Sequence, residues 1–469
     1  MNNKKNRLKV LLDNSIVFAI GNLGSKLITI IMVPLYTYFM STSEYGTVDL
    51  IQTTANLLLP MITLSVFDAV FRFTLDKDNN NTQILSNGFA ISIACNIIFL
   101  LLLPIFKIVI GDLYLYLYFI VFLQSFQSLF AEYSRGIGDV KTFSVNGILN
   151  TFFVAIFNII FLVFLRCNTI GYLLSIILSS IISNLFLVWR LKIWKKIEFT
   201  MIKKKSINEL LIYSIPLIPN AFAWWINNAS SRYFILYFVG VSANGLFAIA
   251  SKIPSFLSVL NSIFFQSWQM SAVEEFESSD RDIFYSNVFK LYIEMLFIST
   301  SFILFILKPF MLLVVSQAFY SSWKLIPFLL LTVVYSSMSS FLGTNYIASK
   351  KTAGIFITTI LGAVVNIILN LLLVPILGAN GAGISSMFSF FSVFLIRLVD
   401  TKKISNMFID TRHFIINNAF IFAQVYTLFI DNKEISLSTN IILFLIILVN
   451  NSQFVLSFFN LIRNKICRK

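Results

Sequence analysis

The sequence predicts an all-α integral membrane protein of about 14 transmembrane helices, with two parallel six-helix bundles around a central cavity and a C-terminal helix pair. Three observations predict this class. Hydrophobic residues make up 58% of the 469 residues and charged residues only 12%, and the mean hydropathy is +0.85. The apolar residues form runs of about 20 or more, without the alternation of a lipid-facing β-barrel. Short motifs also recur at a nearly constant offset.

Fourteen apolar runs follow one another along the chain, and short polar or basic segments separate them. Each run is long enough to cross the hydrocarbon core of a bilayer as a helix. In chain order the runs cover residues 14–40, 46–71, 84–110, 113–134, 143–165, 169–190, 208–239, 243–269, 284–307, 325–345, 353–376, 380–400, 411–430 and 439–461.

The basic residues predict the orientation of these helices, because cytoplasmic loops hold an excess of Lys and Arg. With the N-terminus inside, 27 Lys and Arg residues fall in the inner segments and five in the outer loops. We therefore expect both termini to be cytoplasmic. The net charge of +14 then reflects this bias and attraction to an anionic leaflet, and we expect no nucleic-acid partner.

A shift of 199 residues relates two outer turns of the chain and predicts its domains. The shift places Tyr38-Phe39, Ser43 and Gly46 on Tyr237-Phe238, Ser242 and Gly245. A weaker echo relates residues 158–160 to residues 366–368. We predict an N-terminal six-helix bundle with its basic link over 1–206, a second bundle over 207–405 and a helix pair with a basic tail over 406–469. Six is even, so the halves are parallel repeats with a site between them.

Three cations lie inside apolar runs, namely Lys26, Arg232 and Lys252. A Lys or Arg at the middle of a membrane helix costs roughly 2.5–3.5 kcal/mol, so each needs an anion, a ligand or a water-filled cavity. We expect the remaining Lys and Arg residues in or beside loops. Arg232 and Lys252 lie roughly 12–14 Å below the outer turn and Lys26 roughly 22 Å below its own.

Polar residues form stripes on the two helices that carry Arg232 and Lys252. Their spacing of three or four places them on one helix face, which predicts a hydrophilic lumen. Interhelical hydrogen bonding is the alternative role for such residues. Pro216 and Pro219 are expected to break the seventh helix. The candidate lumen residues are Asn220, Trp224, Trp225, Asn227, Asn228, Ser231, Ser255, Ser262 and Gln266.

Motifs of soluble enzymes and metal sites do not occur in the chain. It contains neither a GxxxxGK[ST] phosphate loop nor an HExxH motif, so ATP hydrolysis is not expected. His413 is the single histidine, and the three cysteines lack metal-ligand spacing. We expect no catalytic residue, no metal and no cofactor.

The chain resembles a known family over about residues 12–400, most specifically from residue 213 to residue 275. The stretches Tyr213-Ser-Ile-Pro-Leu-Ile-Pro-Asn220 and Trp224-Trp-Ile-Asn-Asn-Ala-Ser-Ser-Arg232 look like the seventh helix of Wzx-type polysaccharide flippases. These belong to the multidrug/oligosaccharidyl-lipid/polysaccharide exporter superfamily. The family often has Asp before this arginine, where this chain has Ser231. That position offers no carboxylate to Arg232, so we expect its guanidinium to be freer to meet a ligand.

The resemblance implies a transporter, not an enzyme. Its partner would be an undecaprenyl-diphosphate-linked oligosaccharide, moved across the bacterial inner membrane by alternating access for O-antigen, capsule or exopolysaccharide assembly. Membrane lipids, the polysaccharide polymerase and the chain-length machinery are the other partners it implies. On this hypothesis Lys26, Arg232 and Lys252 bind the diphosphate, the polar stripes bind the glycan, and Trp224 or Trp225 contacts sugar.

Two other classes of function are alternatives to a flippase. The superfamily includes ion-coupled drug antiporters that bind organic cations through acids, and Asp49, Asp68, Glu132 and Glu294 lie in or near the predicted spans. Only Glu294 is far from a helix end, so we predict that it takes any role in ion coupling. An intramembrane glycosyltransferase or polymerase is a further class, which would usually need a large outer loop that this chain lacks.

Overall fold

The structure is a computed structural model that describes residues 23–76, 79–349 and 353–456, and every regular element within these ranges is helical. Contacts divide the chain into two compact units. Unit 1 comprises Met1–Leu236 and Gly240–Ala248, and unit 2 comprises Tyr237–Val239 and Ile249–Lys469. The predicted domain division at 206 and 405 stays a prediction.

Eleven helices lie wholly or mostly in unit 1. They are α1 (Leu23–Phe39), α2 (Thr42–Ile62), α3 (Val66–Thr74), α4 (Asn81–Ile110), α5 (Tyr114–Gly136), α6 (Val140–Asn158), α7 (Asn168–Leu191), α8 (Lys204–Ser214), α9 (Ile218–Ala229), α10 (Ser231–Phe238) and α11 (Val241–Ala250). A π-helical stretch, Ile159–Phe164, extends α6. Short 3₁₀ turns cover Gly111–Leu113, Ile193–Lys195, Phe199–Met201 and Ile215–Leu217.

Seven helices belong to unit 2. They are α12 (Lys252–Glu274), α13 (Arg281–Val314), α14 (Ile326–Ala348), α15 (Ala353–Leu377), α16 (Ala379–Asp400), α17 (Thr411–Leu428) and α18 (Lys433–Asn450). Its 3₁₀ turns cover Gln317–Lys324 and Thr401–Lys403.

Each of the fourteen predicted runs coincides with a helix or with consecutive helices. Within the described residues, 11 helices are long and apolar enough to cross a membrane, or up to 12 if the bent pair α2 and α3 is one span. The other two runs are α1, a shorter apolar helix whose predicted start lies outside the described residues, and α17, which carries polar residues such as Asn417 and Gln424. The chain is a multi-pass membrane protein.

Short interruptions divide several of the predicted helices, and two of them differ in whether the sequence predicted them. Pro216 lies in the 3₁₀ turn between α8 and α9, which confirms the predicted break in the seventh run. The second break was not predicted. Between α2 and α3 the axis bends by 59°, and Leu64 and Ser65 adopt left-handed φ angles of 51° and 50°. Such angles are unfavourable for residues with a side chain, so the surrounding packing must enforce the bend.

The segments related by the 199-residue shift pack against each other in unit 1. A side chain on Gly46 would collide with the carbonyl oxygen of Val241, and one on Gly245 would collide with the carbonyl oxygen of Thr42. Thr42 and Val241 are themselves related by the same shift, so the two contacts are reciprocal. The missing side chains let the α2 and α11 backbones approach closely, as small residues do in membrane helix pairs.

One basic residue is buried although it lies beside a predicted inner loop. Arg397 is in the last turn of α16, as expected, but its side chain is only 6% exposed, so the expected access to water is wrong. Its guanidinium donates to the carbonyl oxygen of Ser339 at 2.9 Å and to the hydroxyl of Thr358 at 2.9 Å. Neutral acceptors on α14 and α15 thus hold this cation, which ties three helices of unit 2 together.

Candidate functional site

Arg232 and Asp49 form a mostly buried ion pair in unit 1. The guanidinium Nε of Arg232 on α10 donates to the carboxylate Oδ2 of Asp49 on α2 at 2.7 Å. The side chains are 16% and 12% exposed, respectively. The expectation that Arg232 is freer of a carboxylate partner is therefore wrong. Ser231 removes the acid expected beside it, but another helix supplies one.

Asn244 completes the surroundings of the carboxylate. Its amide Nδ2 donates to Oδ2 of Asp49 at 3.3 Å and to the carbonyl oxygen of Gly46 at 3.1 Å. Asn244 is fully buried on α11, beside the glycine crossing. The close packing of α2 and α11 therefore fixes Asp49, and Asp49 in turn orients Arg232. We call Asp49, Arg232 and Asn244 the arginine cluster.

Aromatic side chains flank the arginine cluster. The indole Nε1 of Trp225 donates to the carbonyl oxygen of Thr53 at 3.2 Å, and its ring lies 5.4 Å from that of Tyr233. The hydroxyl of Tyr233 is 2.6 Å from that of Thr54. These contacts fasten α9 and α10 to α2, so the polar edge of Trp225 is engaged in packing.

The guanidinium of Arg232 retains capacity for a ligand. Among the described residues, its one hydrogen bond uses Nε, while the ring of Phe247 lies 5.6 Å from Cζ. The two Nη amino groups therefore have four N–H donors that the protein does not use there. A guanidinium fixed in this way can bind a phosphate through paired hydrogen bonds.

The other two candidate cations lie on other helices than the arginine cluster. Lys26 is exposed on α1 of unit 1. Lys252 is half-buried and begins α12 of unit 2, directly after the interruption at Ser251. Lys26 and Arg232 thus belong to one unit and Lys252 to the other.

The predicted lumen residues of unit 1 divide by exposure. Trp224 is 64% exposed, and Asn228, also exposed, donates to its carbonyl oxygen at 2.8 Å. Asn227 is buried and donates to the carbonyl oxygen of Ala223 at 3.1 Å, and Ser231 is buried as well. The side chain of Asn220 lies outside the described part of the structure. Of the two tryptophans, Trp224 is the more exposed, whereas Trp225 is half-buried and its ring packs against Phe222 and Tyr233.

The polar stripe of α12 is half-buried in unit 2. The hydroxyl of Ser255 donates to the carbonyl oxygen of Lys252 at 2.6 Å, and that of Ser262 donates to Val259 at 2.8 Å. Each hydroxyl still has acceptor capacity for a ligand. The side chain of Gln266 lies outside the described residues.

Glu294 is buried in unit 2 at 1% exposure. Its Oε2 accepts a hydrogen bond from the backbone N–H of Phe454 at 2.8 Å, and its Oε1 lies 3.9 Å from Nε2 of His413. The carboxylate therefore joins α13 to α17 and to the helical turn beyond α18. These contacts link the C-terminal helices to the body of unit 2.

Sequence reasoning missed the pairing of Asp49 with Arg232, although a signal was present. Asp49 follows the outer turn at Ser41 by eight residues, and Arg232 precedes the outer turn at Gly240 by eight. At a rise of 1.5 Å per residue, both lie roughly 12 Å below their turns. Equal depth and opposite charge predict a pair. Asn244 carried no comparable signal.

Comparison with known proteins identifies the family. The sequence profile described as "Polysaccharide biosynthesis protein" matches residues 11–269, which is more than half of the chain. No curated protein matches the sequence. The profile match confirms the resemblance to the polysaccharide exporter branch.

Solved structures confirm the predicted fold class. The lipid II flippase MurJ in an inward closed conformation has a TM-score of 0.69 at 15% identity, covering 94% of this chain and 100% of that chain. A multidrug resistance MATE transporter in an inward-facing conformation has a TM-score of 0.62 at 14% identity, covering 80% and 98%. A MOP superfamily transporter from Pyrococcus furiosus has a TM-score of 0.61 at 15% identity, covering 84% and 96%. This chain belongs to the polysaccharide biosynthesis protein family and has the membrane fold shared by MurJ and MATE transporters.

Proposed function

We propose that this protein is a flippase that moves undecaprenyl-diphosphate-linked oligosaccharide repeat units from the cytoplasmic to the outer leaflet of the bacterial inner membrane. The product would serve O-antigen, capsular or exopolysaccharide assembly. The family match over residues 11–269 is the observation that carries this proposal. The fold is shared with transporters and flippases, which supports a protein that moves its substrate rather than converting it.

The diphosphate is the part of the substrate with the highest cost of crossing the membrane. Its anionic oxygens need cations wherever water is excluded. On this proposal, Lys26, Arg232 and Lys252 provide them. Arg232 binds through its two Nη groups while Asp49 holds Nε, so Asp49 positions the guanidinium and lowers the entropy lost on binding.

The glycan needs hydrogen-bond partners and aromatic faces. The exposed ring of Trp224 can stack on a sugar, and Asn228 beside it can donate to a hydroxyl. Ser255 and Ser262 offer acceptors on α12. The contacts of Trp225 and Asn227 with their own unit support a packing role for these two residues.

Alternating access between the two halves would carry the headgroup across while the prenyl tail stays in lipid. Ion coupling through Glu294 is the least supported part of this proposal, because its carboxylate already binds Phe454 and lies near His413. We propose that both termini are cytoplasmic and that the polysaccharide polymerase and chain-length machinery receive the product.

The proposal is tested in a deletion strain complemented with plasmid-borne variants. Lys26→Gln, Arg232→Gln and Lys252→Gln each remove one cation, and Lys433→Gln, at the exposed start of α18, serves as the matched control. We expect loss of surface glycan and accumulation of lipid-linked repeats in the first three and wild-type export in the control. Wild-type export by all three at normal protein level would refute the assignment of the cations.

Export of organic cations is the second candidate function. Carboxylates in unit 1 favour it, because Glu132 lines a cavity there, and MATE transporters share the fold. This function predicts that deletion raises drug susceptibility while surface glycan stays unchanged. The flippase proposal predicts that deletion removes surface glycan and leaves drug susceptibility unchanged. The deletion strain therefore distinguishes the two functions.

A further inference from the structure

Unit 1 contains a cavity with a polar lining, and none of the described lining residues belongs to the arginine cluster. It has a volume of about 340 Å³ and lies among α1, α3, α5 and α6. The volume is at the small end of the roughly 300–1,000 Å³ typical of small-molecule sites, so it suits one ring and not a chain of sugars. Its polar lining comes from Ser25, Gln127, Ser128, Glu132, Ser144 and Asn146.

Two buried oxygen atoms on the cavity residues lack hydrogen-bond partners within the described ranges. They are Oγ of Ser144 and Oδ1 of Asn146, on side chains that are 7% and 3% exposed. Burying a polar atom without a partner is unfavourable, so native proteins rarely keep one without cause. The amide oxygen of Asn146 can only accept, so a donor group placed in the cavity would satisfy it.

The charge of the lining indicates what kind of donor fits. Glu132 is the one charged residue among those lining the cavity, and Arg135 partly balances it through a contact of 3.3 Å. A carboxylate next to an amide and hydroxyls favours a ligand with many O–H or N–H donors. It disfavours a phosphate or a uronic acid, because the lining supplies no cation to meet a second negative charge.

Aromatic rings complete the cavity. Phe67 and Phe143 line it together with the polar residues. Phe67 is the second residue of α3, so the strained bend at Leu64 and Ser65 sets its position. A pyranose has one apolar C–H face and a rim of hydroxyls, which matches aromatic rings beside a polar rim.

We propose that this cavity binds one uncharged sugar ring of the glycan headgroup, with Asn146, Ser144 and Glu132 accepting hydrogen bonds from its hydroxyl groups. The inference rests on the proposed flippase function and adds a glycan subsite in unit 1. Within the described residues, none of the three cations lines the cavity, so the sugar subsite uses different side chains from the diphosphate site.

The test measures equilibrium binding to the full-length protein in lipid nanodiscs. The probes are N-acetylglucosamine, glucuronic acid, farnesyl diphosphate and tetraphenylphosphonium. Asn146→Ala and Ser144→Ala remove the two acceptors separately, so that one remains informative if the other misfolds. Asn96→Ala is the matched control, because Asn96 is also buried and its Oδ1 also lacks a partner among the described residues, but it does not line the cavity.

We expect N-acetylglucosamine to bind the wild type more tightly than glucuronic acid, and Asn146→Ala to weaken this binding about tenfold, with Asn96→Ala unchanged within about twofold. Farnesyl diphosphate binding should be equal in the wild type and all three variants. Equal sugar binding by wild type and the folded cavity variants, or failure of the sugar to bind while farnesyl diphosphate binds, would overturn the subsite alone. Binding of tetraphenylphosphonium without farnesyl diphosphate would overturn the proposed function itself.

Discussion

Removing one partner of the pair between Arg232 and Asp49 should destabilise unit 1 at least as much as removing both. Breaking a buried ion pair costs about 3–5 kcal/mol, whereas an exposed pair contributes roughly 0.2–1 kcal/mol. With side chains 16% and 12% exposed and a contact of 2.7 Å, this pair lies toward the buried limit. We expect Asp49→Leu and Arg232→Leu each to cost about 2–3 kcal/mol.

The double variant should cost no more than either single variant, because leucines of similar volume can pack where two opposite charges were paired. The coupling free energy would then be at least about 2 kcal/mol. The assay is a double-mutant cycle on unfolding in mixed micelles, followed by tryptophan fluorescence. Arg72 and Asp76 provide the control pair, because they also form an ion pair in unit 1, at 3.2 Å, but are 48% and 56% exposed.

The same variants separate stability from transport. Arg232→Leu and the double variant should lose export, because neither has the guanidinium, whereas Asp49→Leu should retain part of it with a misaligned Arg232. If the stability losses of Asp49→Leu and Arg232→Leu add, with coupling no larger than that of the exposed control pair, the buried-pair reasoning is refuted.

Three further predictions follow from packing. Gly245→Val should abolish accumulation of folded protein, because its side chain would meet the Thr42 backbone, and normal abundance in membranes would contradict the helix crossing. Arg397→Met should lower the denaturation midpoint but leave export per folded molecule unchanged, because Arg397 donates to neutral acceptors in its own unit. A loss of export without a loss of stability would contradict this structural role. Trp225→Phe should cost about 1 kcal/mol by losing one hydrogen bond, whereas Trp224→Ala should leave stability unchanged and reduce export; the opposite pattern would reverse their assignments.

The helices were predictable from the sequence because the bilayer thickness sets the length of an apolar run. The break near Pro216 was predictable from local sequence, because proline lacks the N–H that an α-helix needs. The bend at Leu64 and Ser65 was not predictable, because neither residue favours a left-handed backbone and tertiary packing imposes it. Sequence patterns predict such a strained turn only when Gly or Asn marks it.

The candidate site was only partly predictable. Lys26, Arg232 and Lys252 stood out because charge in an apolar run is costly, but their partners depend on contacts between distant segments. Asp49 pairs with Arg232 across 183 residues of sequence, and only the depth of each residue below its turn indicated it. The burial of Arg397 was not predicted, because proximity to a helix end in the sequence does not establish exposure to water.

The most direct test of flippase function is translocation in proteoliposomes. Purified protein is reconstituted with an undecaprenyl-diphosphate-linked oligosaccharide placed in one leaflet, and a membrane-impermeant lectin or glycosidase reports arrival of the glycan in the other. We predict translocation by the wild type and its loss in Arg232→Gln, with translocation retained by Lys433→Gln. Failure of the wild type to move the lipid-linked glycan, while it moves an organic cation across the same membranes, would contradict the proposed function.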